Sequence, residues 1–366
     1  MINNDTLKLI NLLKNYNLKF KCKDILKNIF FMKLYDEINI IIKKNIIGEI
    51  KVEELNEPSE HYFKKNNFTS DNVMNKILFK LKYGYRVSNE NNSIIYFTSK
   101  RKVFKKIPNV LRHMLIIIRM LKLLFKRKNA QTVIYFETFS KKKFPNKKNK
   151  VLGPDEVNSG LTFLDLHKNG DIILYRKEEI LKVLIHELIH SNLIDEKIVF
   201  HPSLKNFSDY FCVNYRILLN EAFTESFATI INIFYIHINC KFDKEYLNMM
   251  FKNEMKYSLY ISLKIINYYN IDKISDVIRN NDSCKIEFPQ NTNVFAYYIL
   301  KNILLTNHIE FANIISENSK DYKIINETGI YSIIDLIKKK INILDNYKNI
   351  SDKNNSLRLC LYELFL

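Results

Sequence analysis

The chain has 366 residues, enough to bury a large core in one domain or two. Hydrophobic residues make up 47% and charged residues 26%, which excludes an intrinsically disordered chain, and only 6 Gly and 6 Pro point to a mainly helical architecture with few long linkers. The net charge of +18 is concentrated: between Lys100 and Lys150 there are 17 Lys or Arg and the single acid Glu137, so that span supplies 17 − 1 = +16.

Residues 5–47 carry helical patterns rich in Leu, Ile and Lys, and 48–52 read as a short strand. Ser70 or Asp71 is placed to cap a helix running to Leu81, and 93–98 read as a strand. The basic span follows, with clusters at Lys100-Arg101-Lys102, Lys126-Arg127-Lys128, Lys141-Lys142-Lys143 and Lys147-Lys148. Such a surface suits a polyanion, anionic lipid or an acidic protein, or is a solvated face enlarged by Lys-rich codon usage. Within it, 110–128 form an amphipathic helix with Arg112, Arg119, Lys122 and Lys126 opposite Met114, Ile117, Ile118, Leu121, Leu124 and Phe125. Its uncharged runs are too short to span a bilayer, so no transmembrane segment is expected. Residues 132–136 are a further strand. Two apolar runs, 161–167 and 171–175, flank Lys168-Asn169-Gly170, and Asn-Gly between such runs signals a β-hairpin.

After Lys177-Glu178-Glu179, acids suited to a first helical turn, comes an apolar run containing His186-Glu187-Leu188-Ile189-His190. On a helix, residues four apart share a face, so the two imidazoles can hold one metal ion while Glu187 stands beside them to take a proton from water. A hydrolytic zinc site needs a third protein ligand and one open position. A second helix over 210–238 offers Glu221 and Glu225, also four apart, in an apolar setting where two carboxylates need a cation. Glu221 is the expected third ligand and Glu225 the next choice.

The pair His186-Glu187-Leu188-Ile189-His190 and Asn220-Glu221-Ala222-Phe223-Thr224-Glu225 resembles the gluzincin class of zinc metallopeptidases, of which thermolysin is the familiar member. The resemblance covers about forty residues, from His186 to Glu225. It implies that His186, His190 and Glu221 bind Zn²⁺, that Glu225 orients a ligand histidine, His186, and that Glu187 is general base. It also implies that a peptide or protein substrate lies along a sheet edge, the hairpin or the Val157-Asn158-Ser159-Gly160 approach to it. Tyr297 or Tyr298 is the favoured oxyanion donor, ahead of His201, Tyr210 and His308. The implied fold is α+β, mostly helical. A zincin-like core over 99–366 would carry a small mixed sheet next to the His186 helix, preceded by a mainly helical region over 1–98. Beyond the Glu221 helix, helices are expected over 244–270, 294–305 and 330–349.

Five cysteines, odd in number and without a C-x-x-C, read as reduced thiols of a cytoplasmic-type compartment. The first residues lack a cationic segment leading into an apolar one, so secretion is not expected. The enrichment in Ile, Asn and Lys fits an A/T-rich genome, and the chain resembles proteins of large DNA viruses. The leading expectation is a soluble zinc metallopeptidase acting on a protein or peptide, and these features suggest a viral maturation role in host cytoplasm or virion. Its rival is a catalytically inactive structural or nucleic-acid-binding protein working through the basic 100–150 surface.

Overall fold

The side-chain alternation of the strands builds a two-faced sheet. In the computed structural model, six strands pair in the order β1-β2-β3-β4-β6-β5: β1 (Lys51–Leu55), β2 (Tyr83–Asn89), β3 (Asn92–Thr98), β4 (Gln131–Phe136), β5 (Gly160–Thr162) and β6 (Ile172–Leu174). The structure describes residues 2–18, 24–44, 48–56, 59–63, 69, 71–102, 107–138, 140–146, 150–163, 171–280, 283–324, 326–348 and 350–365. Ser70, Lys147, Lys148, Cys22 and the Lys168-Asn169-Gly170 turn lie outside these residues.

The sheet is mixed: β3, β4 and β6 run parallel, while β1–β2, β2–β3 and β5–β6 are antiparallel pairs. Ile94, Tyr96, Val133, Tyr135, Ile172 and Leu174 face the large helical core. Their neighbours Ile95, Phe97, Ile134, Phe136 and Ile173 face a smaller cluster with Val73 and Ile77 of the helix Asp71–Lys80. Burial on both faces accounts for the nearly unbroken apolar runs of β3 and β4. Strand β2 carries a weaker signal because of Gly84. A Cβ there would come within 2.7 Å of the Phe97 ring and 3.2 Å of Leu55, so the glycine is required by close packing. Strands β1 to β3, which precede residue 99, are continuous with β4 in this one sheet.

Helices make up most of the rest, giving the α+β, mostly helical class. The helix Asn109–Leu124 packs on β3 and on the helix Ile180–Ser191, which lies between the sheet edge and the helix Leu219–Cys240. Among the described residues no helix is long and apolar enough to cross a membrane.

Much of the basic segment turns inward or is paired. Lys122, expected on a polar face, is buried and donates to Asn92 Oδ1 at 2.7 Å. Lys142 is buried against Glu179, Nζ to Oε2 3.0 Å. Arg119 pairs with Glu90 at 2.8 Å, Lys126 with Asp321, and Arg127 caps the Asn192 carbonyl at 2.7 Å. These cations fasten distant parts of the chain together.

The reduced-thiol expectation is corrected. Cys212 and Cys284 form a disulfide, with Cα atoms 5.7 Å apart. They are 72 residues apart in sequence, and spacing could not pair them. Backbone bonds from Cys212 N to Val277 O (2.7 Å) and from Phe288 N to Cys212 O (2.8 Å) bring the two segments together. The same pairing delays the Glu221 helix, expected from residue 210, until Leu219. Cys240 and Cys360 are free thiols.

Candidate metal centre

Every residue of the helix Ile180–Ser191 is buried, including its two histidines and Glu187. The acids expected in its first turn serve another purpose. Glu179 precedes the helix in a left-handed conformation, φ 59°, and its carboxylate accepts from Cys360 N at 2.5 Å as well as facing Lys142. Glu221 sits in the first turn of the facing helix, so its carboxylate meets the histidines across the helix pair.

His186 Nε2 and His190 Nε2 are 3.0 Å apart, and Glu221 Oε2 lies 3.3 Å from the first and 3.4 Å from the second. Tetrahedral zinc with bonds of about 2.0–2.1 Å separates its ligand atoms by roughly 3.3 Å, so the triangle has the dimensions such an ion needs. Among the described residues this is the one group of three or more His, Cys, Asp or Glu side chains that converge in this way. Glu221 Oε2 is buried and accepts no hydrogen bond, a deficit that a cation would remove.

Both histidines are oriented through their other nitrogen. His186 Nδ1 donates to Glu225 Oε2 at 2.9 Å and His190 Nδ1 donates to Asp195 Oδ2 at 2.7 Å. A carboxylate only accepts, so each Nδ1 carries a proton, and with a metal bound each Nε2 would present its lone pair to the ion. Asn220 Nδ2 donates to Asp195 Oδ2 at 3.1 Å, and Lys182 Nζ donates to Glu225 Oε1. Lys301 Nζ stands 3.7 Å from the same Glu225 oxygen.

The electrostatics follow from burial and pairing. Burial opposes the charged form of His190, but Asp195 and Glu221 outweigh it and raise its pKa well above the usual value. Burial likewise opposes the imidazolium of His186, and Glu221 and Glu225 overcome it. For Glu221 burial favours protonation, yet the two histidines hold its carboxyl far below the ordinary range. Glu187 behaves differently: burial is its largest influence and raises its pKa, with the histidines acting against the rise.

The Glu187 carboxylate points to the sheet edge. Thr162 Oγ1 donates to Glu187 Oε2 at 2.8 Å, which ties it to β5, the edge strand. A small cleft here is lined by Asn158, Ser159, Gly160, His186, Glu187 and Tyr297 among others. Gly160 must be small. A Cβ would meet Leu174 Cδ2 at 2.9 Å, Val183 Cγ1 at 3.0 Å and Glu187 Oε1 at 3.1 Å. Gly160→Ala is therefore expected to cost about 1–3 kcal/mol, seen as a lower midpoint in thermal unfolding, and an unchanged midpoint would show that the strand shifts freely.

The two tyrosines part company. Tyr297 turns its ring toward His186, centroids 6.1 Å apart, and lines the cleft. Burial, followed by the nearby Glu221, raises its pKa well above the usual value, so the phenol keeps its proton. Tyr298 faces the core, where its hydroxyl donates to Leu357 O at 2.6 Å, and it does not join the centre. Both lie in a π-helical turn, Phe295–Leu300, in place of the expected continuous α-helix. His201, Tyr210 and His308 are also absent from the cleft lining.

Asp195 is the residue that sequence reasoning missed. The helix ends at Ser191, Leu193 takes φ 55°, and the chain turns back so that Asp195 reaches His190. An acid five residues beyond the second histidine, next to a helix break, was the available signal. Asp195→Ala is expected to weaken zinc binding about 10–100-fold in competition with a fluorescent chelator, because the His190 ring loses its orienting acceptor. Unchanged affinity would show that ring packing alone positions the imidazole.

Comparison with known proteins adds one relative. The chain is 26% identical over 194 residues, 51% of this chain and 48% of the other, to "Uncharacterized protein R210" of Acanthamoeba polyphaga mimivirus. The chain thus spans about half the length of that relative. No protein-family model matches the chain, and no solved structure matches it.

Proposed function

We propose that this chain is a zinc-dependent peptidase of the gluzincin type, with His186, His190 and Glu221 as metal ligands and Glu187 as general base. The observation that carries the reading is the convergence of the two Nε2 atoms and Glu221 Oε2 within 3.4 Å of one another, with Glu187 on the same helix beside an edge strand. Zinc, when bound, supplies a Lewis acid that acidifies a water and polarises the scissile carbonyl. Glu187 would take a proton from the attacking water and pass it to the leaving amine. Thr162 holds the Glu187 carboxylate in place, and burial moves its pKa upward, toward the range where one group both accepts and donates. Tyr297, protonated and beside His186, is the donor to the developing oxyanion. The edge strand β5, unpaired on its outer side among the described residues, with the 157–160 approach lining the cleft, offers a peptide an added-strand binding mode.

The mimivirus relative supports a viral setting, and a maturation role in host cytoplasm or virion is part of the proposal. The rival, a nucleic-acid-binding scaffold working through the 100–150 surface, is weakened because Lys122, Lys142, Arg119 and Arg127 are committed to contacts within the chain.

The test is hydrolysis of a broad peptide library followed by mass spectrometry, with and without a zinc chelator. Cleavage that the chelator abolishes and added zinc restores is the expected result. Zinc-loaded, folded protein that cleaves nothing in the library would overturn catalysis and leave a metal-holding scaffold.

A further inference from the structure

The backbone pairing of β5 fixes which of its groups a peptide can reach. Strand β5 runs antiparallel to β6, with Gly160 opposite Leu174 and Thr162 opposite Ile172. Phe163 N donates to Asp171 O and Tyr175 N donates to Ser159 O, both at 3.0 Å, so by alternation residues 159, 161 and 163 make the hydrogen-bonded pairs on this side. Gly160 and Thr162 therefore turn their backbone N–H and C=O groups away from β6, to the outer side of the sheet, where β5 is the edge strand. A peptide added there pairs with these two residues.

The segment leading into this edge, 154–158, lies outside the sheet, and a side chain holds it. Arg176 follows β6 and is 1% exposed. Its Nε donates to Asn158 O at 2.6 Å, its Nη1 to Lys141 O at 3.3 Å, and its Nη2 to the carbonyls of Pro154 and Asp155. Pro154–Val157 is a single helical turn, too short to satisfy all its own carbonyls, and the guanidinium takes two of them. The Asn158 side chain is held as well, its Oδ1 accepting from Thr292 Oγ1 at 3.0 Å. Val157, Asn158, Ser159 and Gly160 line the cleft beside His186 and Glu187, whereas Arg176 stands behind them and does not. Lysine, with its donors on one atom, cannot reach acceptors spread around a planar fork.

We propose that Arg176 is a positioning residue for the substrate edge: by fixing 154–158 it sets the place of Gly160, and with it the outward backbone groups on which a peptide strand is added. The inference rests on the peptidase reading, because it concerns how that substrate is held.

Steady-state kinetics of Arg176→Lys on the best-cleaved peptide of the library is the test, with zinc affinity and thermal unfolding measured on the same protein. KM should rise about tenfold, the net worth of roughly one hydrogen bond in substrate binding, while kcat stays within about twofold and zinc affinity is unchanged. Thr292→Val, nearly isosteric, releases the Asn158 side chain and should raise KM about threefold, which keeps the proposal testable where Arg176→Lys does not fold. A merely structural role would lower the unfolding midpoint and leave KM of the folded enzyme at the wild-type value, and that result overturns the proposal. A fall in kcat or in zinc affinity at unchanged KM also overturns it, by placing the effect on the metal centre. Wild-type protein that is folded and zinc-loaded but cleaves no library peptide removes the peptidase reading and this inference together. Wild-type cleavage with both variants unchanged in KM removes this inference alone.

Discussion

Glu187→Gln is expected to retain one zinc per chain and to hydrolyse peptides about a thousandfold more slowly than the wild type, within the range general acid–base groups contribute. The substitution is nearly isosteric, and the amide oxygen can still accept from Thr162 Oγ1, which lies 2.8 Å from the native Oε2. The ligand atoms on His186, His190 and Glu221 are untouched, and so are the bonds from His186 to Glu225 and from His190 to Asp195. What disappears is a group able to take a proton from water and return it. Turnover and metal content should therefore separate: zinc by elemental analysis unchanged, rate on any cleaved library peptide lost. Full activity in this variant would remove Glu187 from the mechanism. A parallel fall in zinc content would mean that the carboxylate supports the centre structurally.

This separation also distinguishes the peptidase from a scaffold that keeps the ion without using it. A scaffold has no use for a buried carboxylate that lines the cleft and is held there by a threonine of the edge strand. Burying a carboxyl away from a matched counter-ion costs free energy, and such placements cluster where protons are moved.

The part of the centre that is local in sequence was legible there. His186 and His190 are one helical turn apart, as are Glu221 and Glu225, and a period of 3.6 residues is enough to set each pair on one face. The parts that depend on tertiary placement were not. Glu179 read as an acid of the first helical turn and Lys182 carried no signal, yet both are buried, Lys182 bonded to Glu225 and Glu179 to the backbone of Cys360. Tyr297 and Tyr298 are indistinguishable as neighbours in sequence, and only the tertiary packing of their helix decides which faces His186. Strand β2 was hidden because its glycine serves packing against Phe97 rather than a turn. In the basic segment charge density reports composition, and it could not show that Lys122 and Lys142 are partnered by Asn92 and Glu179, far away in sequence.

His186→Ala and Glu221→Ala should each lose the metal, and they test the centre from opposite sides. Wild-type protein is expected to hold about one zinc per chain after dialysis. Structural zinc sites bind with roughly 10 kcal/mol or more, so removing one of three ligands forfeits about 3 kcal/mol, more than a hundredfold in affinity. Zinc should raise the unfolding temperature of the wild type, by a free energy that grows with ligand excess, and raise that of both variants less at the same zinc concentration. Glu221→Ala has a second consequence. The carboxylate lies 3.3 Å and 3.4 Å from two imidazoles whose pKa values it helps to raise, so without it those rings lose their shared anionic neighbour even when no metal is present. The free protein should then be less stable than wild type, while Glu221→Gln, which keeps the shape, should lose most of the zinc with a smaller structural penalty. Zinc retained in folded Glu221→Ala would transfer the third ligand to Glu225, the carboxylate one turn further along the same helix and already bonded to His186 Nδ1 at 2.9 Å.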